Sequence, residues 1–258
     1  MCDPFIALFL GIIQGLTEFL PISSSGHLVL FQGFFKGKWM GDILFDVSVH
    51  MGTTLAIIVF FFKDIINLIR GVLPNSYNRD QVHIIICLLI TTLVTGTMGV
   101  LFRDAFEAMF SNPTLVACML LITGCLTFFT DRFNINLNKD SKITPANAVM
   151  IGLFQGFAII PGISRSGSTI FAGVAGGLDR SLAAKYSFLA AIPAVLGAAA
   201  LEWSNEAASL NMLHIVGAAS AFIIGLISLR FLVWTLKRRK FFVFSIYCWI
   251  IGSIYLIY

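Results

Sequence analysis

The sequence predicts an all-α polytopic membrane protein made of two inverted-topology repeats, each a re-entrant helical hairpin plus three transmembrane helices. Three observations carry that expectation. Of the 258 residues, 58% are hydrophobic and only 12% charged, whereas a soluble domain carries about 25% charged residues. Six windows, 43–62, 82–102, 114–130, 182–201, 212–234 and 241–258, are apolar over a bilayer-spanning length, which for a helix is roughly 20 residues. These runs are too long for an outer-membrane barrel, whose strands alternate over ~10 residues. Finally, GIIQGLTEFLPISSSGHLVL (11–30) returns as GLFQGFAIIPGISRSGSTIF (152–171). Aligned without gaps, seven positions are identical: Gly11/Gly152, Gln14/Gln155, Gly15/Gly156, Ile22/Ile163, Ser23/Ser164, Ser25/Ser166 and Gly26/Gly167.

The elements follow in order. The first repeat, 1–131, opens with the segment at 11–30, where two short apolar stretches flank Pro21 and Ser23–Ser25. That is too interrupted for one span, so it reads as two half-helices meeting at a loop. Non-helical backbone at membrane depth is tolerated only when buried in protein or lining a wet cavity. The spans 43–62, 82–102 and 114–130 follow, and the polar stretch DRFNINLNKDSK leads to the second repeat, 142–258. There the hairpin at 152–171 precedes the spans 182–201, 212–234 and 241–258.

A hairpin makes no net crossing, so each half crosses three times and the second half enters from the opposite side. The basic residues agree. Lys63, Arg70, Arg79, Arg132, Lys139, Lys142, Arg180, Lys185, Lys237, Arg238, Arg239 and Lys240 fall on one side; Lys36, Lys38 and Arg103 fall on the other. By the positive-inside rule the first group is cytoplasmic and both termini are extracytoplasmic. No basic residue precedes Lys36, so no cleaved signal peptide is expected. Cys2, Cys87, Cys118, Cys125 and Cys248 form no CxxC pair and read as small apolar side chains. His83 and His214 fall at span ends and read as interfacial packing. KRRK (237–240) reads as a topology signal that also touches anionic lipid heads. Membrane lipids are the expected surroundings, no nucleic-acid partner is expected, and the oligomeric state stays open.

Polar chemistry concentrates at the hairpin tips. Tip one offers Gln14, Glu18, Ser23, Ser24, Ser25 and His27; tip two offers Gln155, Ser164, Arg165, Ser166, Ser168 and Thr169. A charge at mid-membrane costs on the order of 2.5–3.5 kcal/mol, so Glu18 and Arg165 need a wet pocket or each other. Inverted repeats bring corresponding segments together near the membrane interior, which predicts one site containing Glu18, His27 and Arg165. Each tip feeds a half-helix that starts near Ser24 or Arg165, and a helix N-terminus favours an anion, phosphate above all. Arg165 can grip two phosphate oxygens. Gln14 and Glu18, four apart on one helix face, suit Mg²⁺ held with substrate phosphates, with Ca²⁺ a second choice. His27 can carry protons or take a phosphoryl group, and Ser24 or a neighbour can attack phosphorus. These are the parts of a phosphoryl-transfer site. Asp46 and His50 read as a satisfied structural pair within a span, with a supporting role at the site as the alternative.

At these residues the chain resembles the bacterial undecaprenyl-pyrophosphate phosphatase family, the bacitracin-resistance type. The resemblance rests on Gln14-x-x-x-Glu18, SSSGH (23–27), PGISRSGST (161–169), FDVSVHMGTTLA (45–56) and KYSFLAAIPA (185–194), and it covers essentially the whole chain. It implies hydrolysis of undecaprenyl pyrophosphate, on the extracytoplasmic side of the plasma membrane, to undecaprenyl phosphate and phosphate, which recycles the carrier lipid for cell-wall synthesis and confers bacitracin resistance. It implies Glu18, Ser24, His27 and Arg165 as catalytic positions, Ser23, Ser25, Ser164, Ser166 and Thr169 as phosphate-binding, and a divalent cation on Glu18 and Gln14. Gln14 stands where many members carry glutamate, so the metal anchor has one negative charge fewer; Ser25 replaces a frequent threonine. Lipid phosphatases of the phosphatidate-phosphatase type 2 kind are excluded, since Phe171 stands where their histidine would be and no Arg-Pro occurs. A lipid-phosphate or anion transporter is the competing expectation, because broken helices in inverted repeats also build carriers.

Overall fold

The computed structural model describes residues 4–34, 43–132, 142–206, 211–238 and 240–257. Cys2, the loop lysines Lys36, Lys38 and Lys139, linker residues 133–141 and Arg239 lie outside the described residues. Among the described residues there are twelve α-helices, one 3-10 turn and no strand. In chain order the helices are α1 (Pro4–Thr17), α2 (Ser24–Phe34), α3 (Ile43–Phe60), α4 (Phe62–Val72), α5 (Arg79–Leu101), α6 (Arg103–Phe110), α7 (Pro113–Arg132), α8 (Pro145–Phe157), α9 (Arg165–Ala175), α10 (Arg180–Glu206), α11 (Met212–Lys237) and α12 (Phe242–Ile257).

Each of the six apolar windows became one helix: α3, α5, α7, α10, α11 and α12. Four of these, α5, α7, α11 and the first 21 residues of α10, are long and apolar enough to cross a membrane, while α1, α3 and α12 are shorter apolar helices. The chain is a multi-pass helical membrane protein. The interrupted segments each fold as helix, turn, helix: α1–α2 broken over 18–23 and α8–α9 broken over 158–164. Local signals set the ends. Thr144 and Asn147 form a reciprocal cap on α8 with Pro145 in its first turn. Asn78 accepts from Asp80 N and Gln81 N at the start of α5, and Asp179 accepts from Ser181 N and Leu182 N at the start of α10.

Lipid is as apolar as leucine, so helices associate here through close packing and interhelical hydrogen bonds. Small residues allow that contact. A Cβ on Gly11 would lie 2.0 Å from Ser220 Oγ and 2.4 Å from Gly217 O, so only glycine lets α1 lie against α11. Its sequence counterpart Gly152 sits close under Thr91 O and Val94, at 3.0 and 2.9 Å from where a Cβ would be, where α8 lies against α5. Buried hydroxyls bridge the same contacts. Thr91 Oγ1 donates to Ala148 O at 2.9 Å and pairs with Tyr186 OH at 2.7 Å, and Thr95 Oγ1 donates to Gly152 O at 3.1 Å. Such bonds contribute about 0.6 kcal/mol each in membranes. The larger core reaches up to tip one, where the Phe19 ring meets Phe188 of α10 edge-on at 5.8 Å. On the outside, Ile86, Leu89, Leu93 and Val100 make an exposed stripe along α5, the side that faces lipid.

The two span-end histidines are structural. His83 Nε2 donates to Ile143 O at 2.8 Å, and His214 Nδ1 accepts from Asn211 N in the cap of α11. Arg238 of the basic run lies over the Trp234 ring at 4.5 Å. Cys87, Cys118, Cys125 and Cys248 are free thiols.

Candidate active site

Both tips begin where a helix is forced to stop. In tip one, Glu18 N still bonds Gln14 O at 2.9 Å, but Pro21 has no N–H to continue the ladder. The chain turns through Ser23 at φ 67°, a left-handed conformation uncommon outside glycine. Ser23 Oγ then accepts from Gly26 N at 3.2 Å and its carbonyl from His27 N, which starts α2. In tip two the left-handed residue is Gly162 at φ 95°, whose missing Cβ would fall 2.4 Å from Val116 O on α7. Ser164 caps α9 by accepting from Gly167 N at 3.1 Å. The half-helices therefore start at Ser24 and Arg165, as the sequence predicts.

These two starting residues meet on one carboxylate. Glu18, 7% exposed, pairs through Oε1 with Arg165 Nη2 across 147 positions of sequence. Its Oε2 accepts from Ser24 Oγ at 2.5 Å and from Gln14 Nε2 at 2.9 Å. His50 Nε2 of α3 stands 3.7 Å from the same oxygen. Four elements thus converge on Glu18: α1, α2, α3 and α9. Ser24, Arg165 and His50 are half-buried while Glu18 and Gln14 are buried, so the site opens on the side of the first three. Arg165 Nη1 is buried and has no hydrogen-bond partner. A buried donor left unpaired costs about 1–3 kcal/mol, and this one is offered to an incoming acceptor.

The other predicted residues fall into two groups. Ser23 Oγ and Ser25 Oγ lie 3.3 Å apart in tip one, and Ser164 Oγ and Ser166 Oγ lie 3.2 Å apart at the equivalent positions of tip two. Ser166 Oγ also donates to Leu20 O at 3.3 Å, which ties the tips together. Thr169 is set back: its hydroxyl donates to Arg165 O at 2.7 Å and pairs with Ser187 Oγ of α10. That hydroxyl holds α9 to α10 rather than reaching toward Glu18.

The ring of His27 is held between its own tip and α12. Its Nδ1 lies 2.7 Å from Ser23 O, and its Nε2 lies 2.7 Å from Tyr247 OH. The hydroxyl of Ser24 donates to Glu18. Asp46 and His50 are not a side-chain pair, because His50 Nδ1 donates to the Asp46 backbone carbonyl at 2.8 Å and the ring faces Glu18. His50 is therefore at the site, in the supporting role that the sequence reading held as its alternative. Its signal was present: a histidine within a span must satisfy both nitrogens, and the helix supplies a partner for only one. Tyr247 carried no local signal, since its partner is 220 positions away.

For a divalent cation the donors fit with substrate present. Gln14 Oε1 is buried without a partner, and an orphaned carbonyl oxygen beside the Glu18 carboxylate is an oxygen pair of the kind Mg²⁺ takes along with phosphate. No group of three or more His, Cys, Asp or Glu that could hold a metal by itself occurs among the described residues.

Comparison with known proteins places the whole chain. The family model described as bacitracin resistance protein BacA matches residues 7–254. An undecaprenyl-diphosphatase of Halothermothrix orenii is 41% identical over 259 residues, covering 98% of this chain and 97% of its own. One from Syntrophotalea carbinolica is 39% identical, covering 96% of each. One from Methanosphaera stadtmanae is 38% identical, covering 100% of this chain and 98% of its own.

Proposed function

The chain belongs to the bacitracin resistance protein BacA family, and from that premise we infer that it is a membrane-embedded phosphatase. Its reaction is the hydrolysis of undecaprenyl pyrophosphate to undecaprenyl phosphate and phosphate. The observation that carries the reading at residue level is the Ser24–Glu18–Arg165 constellation: a hydroxyl donating to a buried carboxylate, beside a guanidinium with one arm unpartnered.

The residues act as follows. The terminal phosphate of the lipid engages the Arg165 Nη1 that lacks a partner and the N–H groups at the start of α9 and α2. As the phosphate draws the guanidinium over, the grip on Glu18 Oε1 loosens and the carboxylate gains basicity. Ser24 Oγ attacks the terminal phosphorus and its proton passes to Glu18, while the P–O bond to undecaprenyl phosphate breaks. That leaving group departs as a phosphate oxyanion and needs no proton. Water then attacks the phosphoserine, Glu18 returns its proton to Ser24 Oγ, and both protons of the water leave on the phosphate, released as dihydrogen phosphate. Ser23, Ser25 and Ser164 line the pocket as donors, and Ser166 joins them when its hydroxyl leaves Leu20 O. Glu18 and Gln14 would hold the divalent cation, which supplies charge neutralisation on the pyrophosphate.

The two segments act as an inverted repeat of re-entrant hairpins. The exchanged partners of α1 and α8, the matched helix breaks and the matched serine pairs support this. The twelve basic residues on one side against three on the other support a site that opens to the extracytoplasmic side with both termini there.

The test is orthophosphate release from a polyprenyl pyrophosphate by detergent-purified protein, with and without Mg²⁺, beside Arg165→Ala. Metal-dependent release that Arg165→Ala abolishes is the expected result. Substrate binding by well-folded protein without any release would make the same pocket a carrier site.

A further inference from the structure

Tyr247 belongs to α12, at the far end of the chain from both tips, yet its hydroxyl lies 2.7 Å from His27 Nε2. The two rings are nearly parallel, 12° apart with centroids at 5.6 Å. His27 is buried and its other nitrogen, Nδ1, faces the Ser23 carbonyl at 2.7 Å. A carbonyl oxygen only accepts, so Nδ1 carries a proton. In the neutral ring Nε2 is then a bare lone pair, and its partner must donate. The hydroxyl of Tyr247 is that donor. The contact is anchored on both sides. Cys248 Sγ, the next residue, reaches Pro21 O of tip one at 3.6 Å, and α12 is fixed to α7 by Ser245 Oγ with Thr127 Oγ1 at 2.9 Å and Trp249 Nε1 to Leu121 O at 3.2 Å.

We propose that Tyr247 is a positioning residue of the phosphatase site: its hydroxyl, donating to His27 Nε2, holds the plane of the ring so that Nδ1–H keeps its bond to the Ser23 carbonyl, at the turn from which Ser24 starts α2. The inference rests on the hydrolase reading above and extends it to a residue outside both sequence motifs. Without the tyrosine hydroxyl the ring loses its hold at Nε2, and the brace it gives the carbonyl of Ser23, already held at positive φ, weakens.

The experiment compares wild type, Tyr247→Phe, His27→Asn and the double variant, by phosphate release from polyprenyl pyrophosphate and by ¹⁵N spectra of ring-labelled histidine. The His27 signal is identified by its absence in His27→Asn. The wild-type spectrum is expected to show His27 protonated at Nδ1, and an Nε2-protonated ring there would overturn the proposal without any variant. Tyr247→Phe keeps the aromatic ring and is expected to lose roughly tenfold in kcat, the weight of one hydrogen bond, with KM unchanged and the His27 signals shifted. In the His27→Asn background the same change is expected to have no further effect, because Tyr247 acts through His27. An equal fall in both backgrounds, or wild-type kinetics in Tyr247→Phe, would sink the proposal. Absence of phosphate release by the wild type would instead count against the hydrolase reading and leave the spectra to judge the tyrosine.

Discussion

The two tips share a sequence frame but hold their shape by different means. Tip two turns at a glycine, Gly162, and is pinned by a hydroxyl: Thr123 Oγ1 of α7 donates to Gly162 O at 2.8 Å and accepts from Ser164 N at 2.9 Å. Tip one turns at a serine, Ser23, and the corresponding carbonyl, Pro21 O, receives among the described residues only the Cys248 thiol, at 3.6 Å. A non-glycine residue in the left-handed region costs about 1–2 kcal/mol, and a thiol is a weak donor. Backbone strain of this kind persists only where surroundings hold it, and it gathers at functional sites. Tip one carries Glu18, Ser24 and His27, whereas tip two contributes a single charged group, Arg165. The relaxed tip is the anvil on which the strained one works.

This contrast can be broken most forcefully at the charges. Glu18→Gln is expected to lower phosphate release by two orders of magnitude or more, while Ile159→Gln, the same side chain at the equivalent position of tip two, retains hydrolysis. Arg165→Lys keeps the charge but not the fork, and a fall of about 10²–10³-fold in kcat is expected. Removing one partner of a buried pair also costs about 3–5 kcal/mol, so Arg165→Ala should melt lower as well as lose activity.

Next come the backbone devices. Gly162→Ala places a Cβ against Val116 O at a positive φ, and about 2–5 kcal/mol of stability should be lost. Thr123→Val strands the Ser164 N–H and Gly162 O in the interior, for about 1–3 kcal/mol. Cys248→Ala, its mirror, should cost about 1 kcal/mol or less. Equal melting shifts for these two would remove the asymmetry of the braces. The smallest difference is expected at the caps. Ser164→Gly loses a cap and gains chain entropy in the unfolded state, about 1 kcal/mol together. In Ser23→Gly the relief of the left-handed strain offsets those losses, so its melting point should stay closer to wild type.

The helices were legible in the sequence because most of the apolar windows are flanked by charge or proline. The tips were legible because proline and serine clusters inside apolar sequence break helices wherever they occur. Glu18, Ser24 and Arg165 were legible as a set because a charge inside a membrane segment demands a partner, and only one of each sign stood in the repeated motifs. What escaped or stayed open was set by tertiary partners. His50 joins the site because α3 passes beside tip one, Thr169 leaves it because α10 offers Ser187, and His27 turns toward α12 because Tyr247 is there. None of those neighbours is encoded within a helix turn of the residue it redirects.

The braces are crossed: α12, which follows the second tip, holds the first, and α7, which follows the first tip, holds the second. On the ribosome this imposes an order. His27 is synthesised 220 residues before Tyr247, an interval on the order of 10–40 s at about 5–20 residues per second. Throughout that time the first tip waits in the bilayer without its tyrosine or its thiol, and for the first 138 residues of that interval without Arg165 as well. A chain cut short before α12 therefore carries its serine, its glutamate and its arginine, with a first tip that nothing from α12 yet braces.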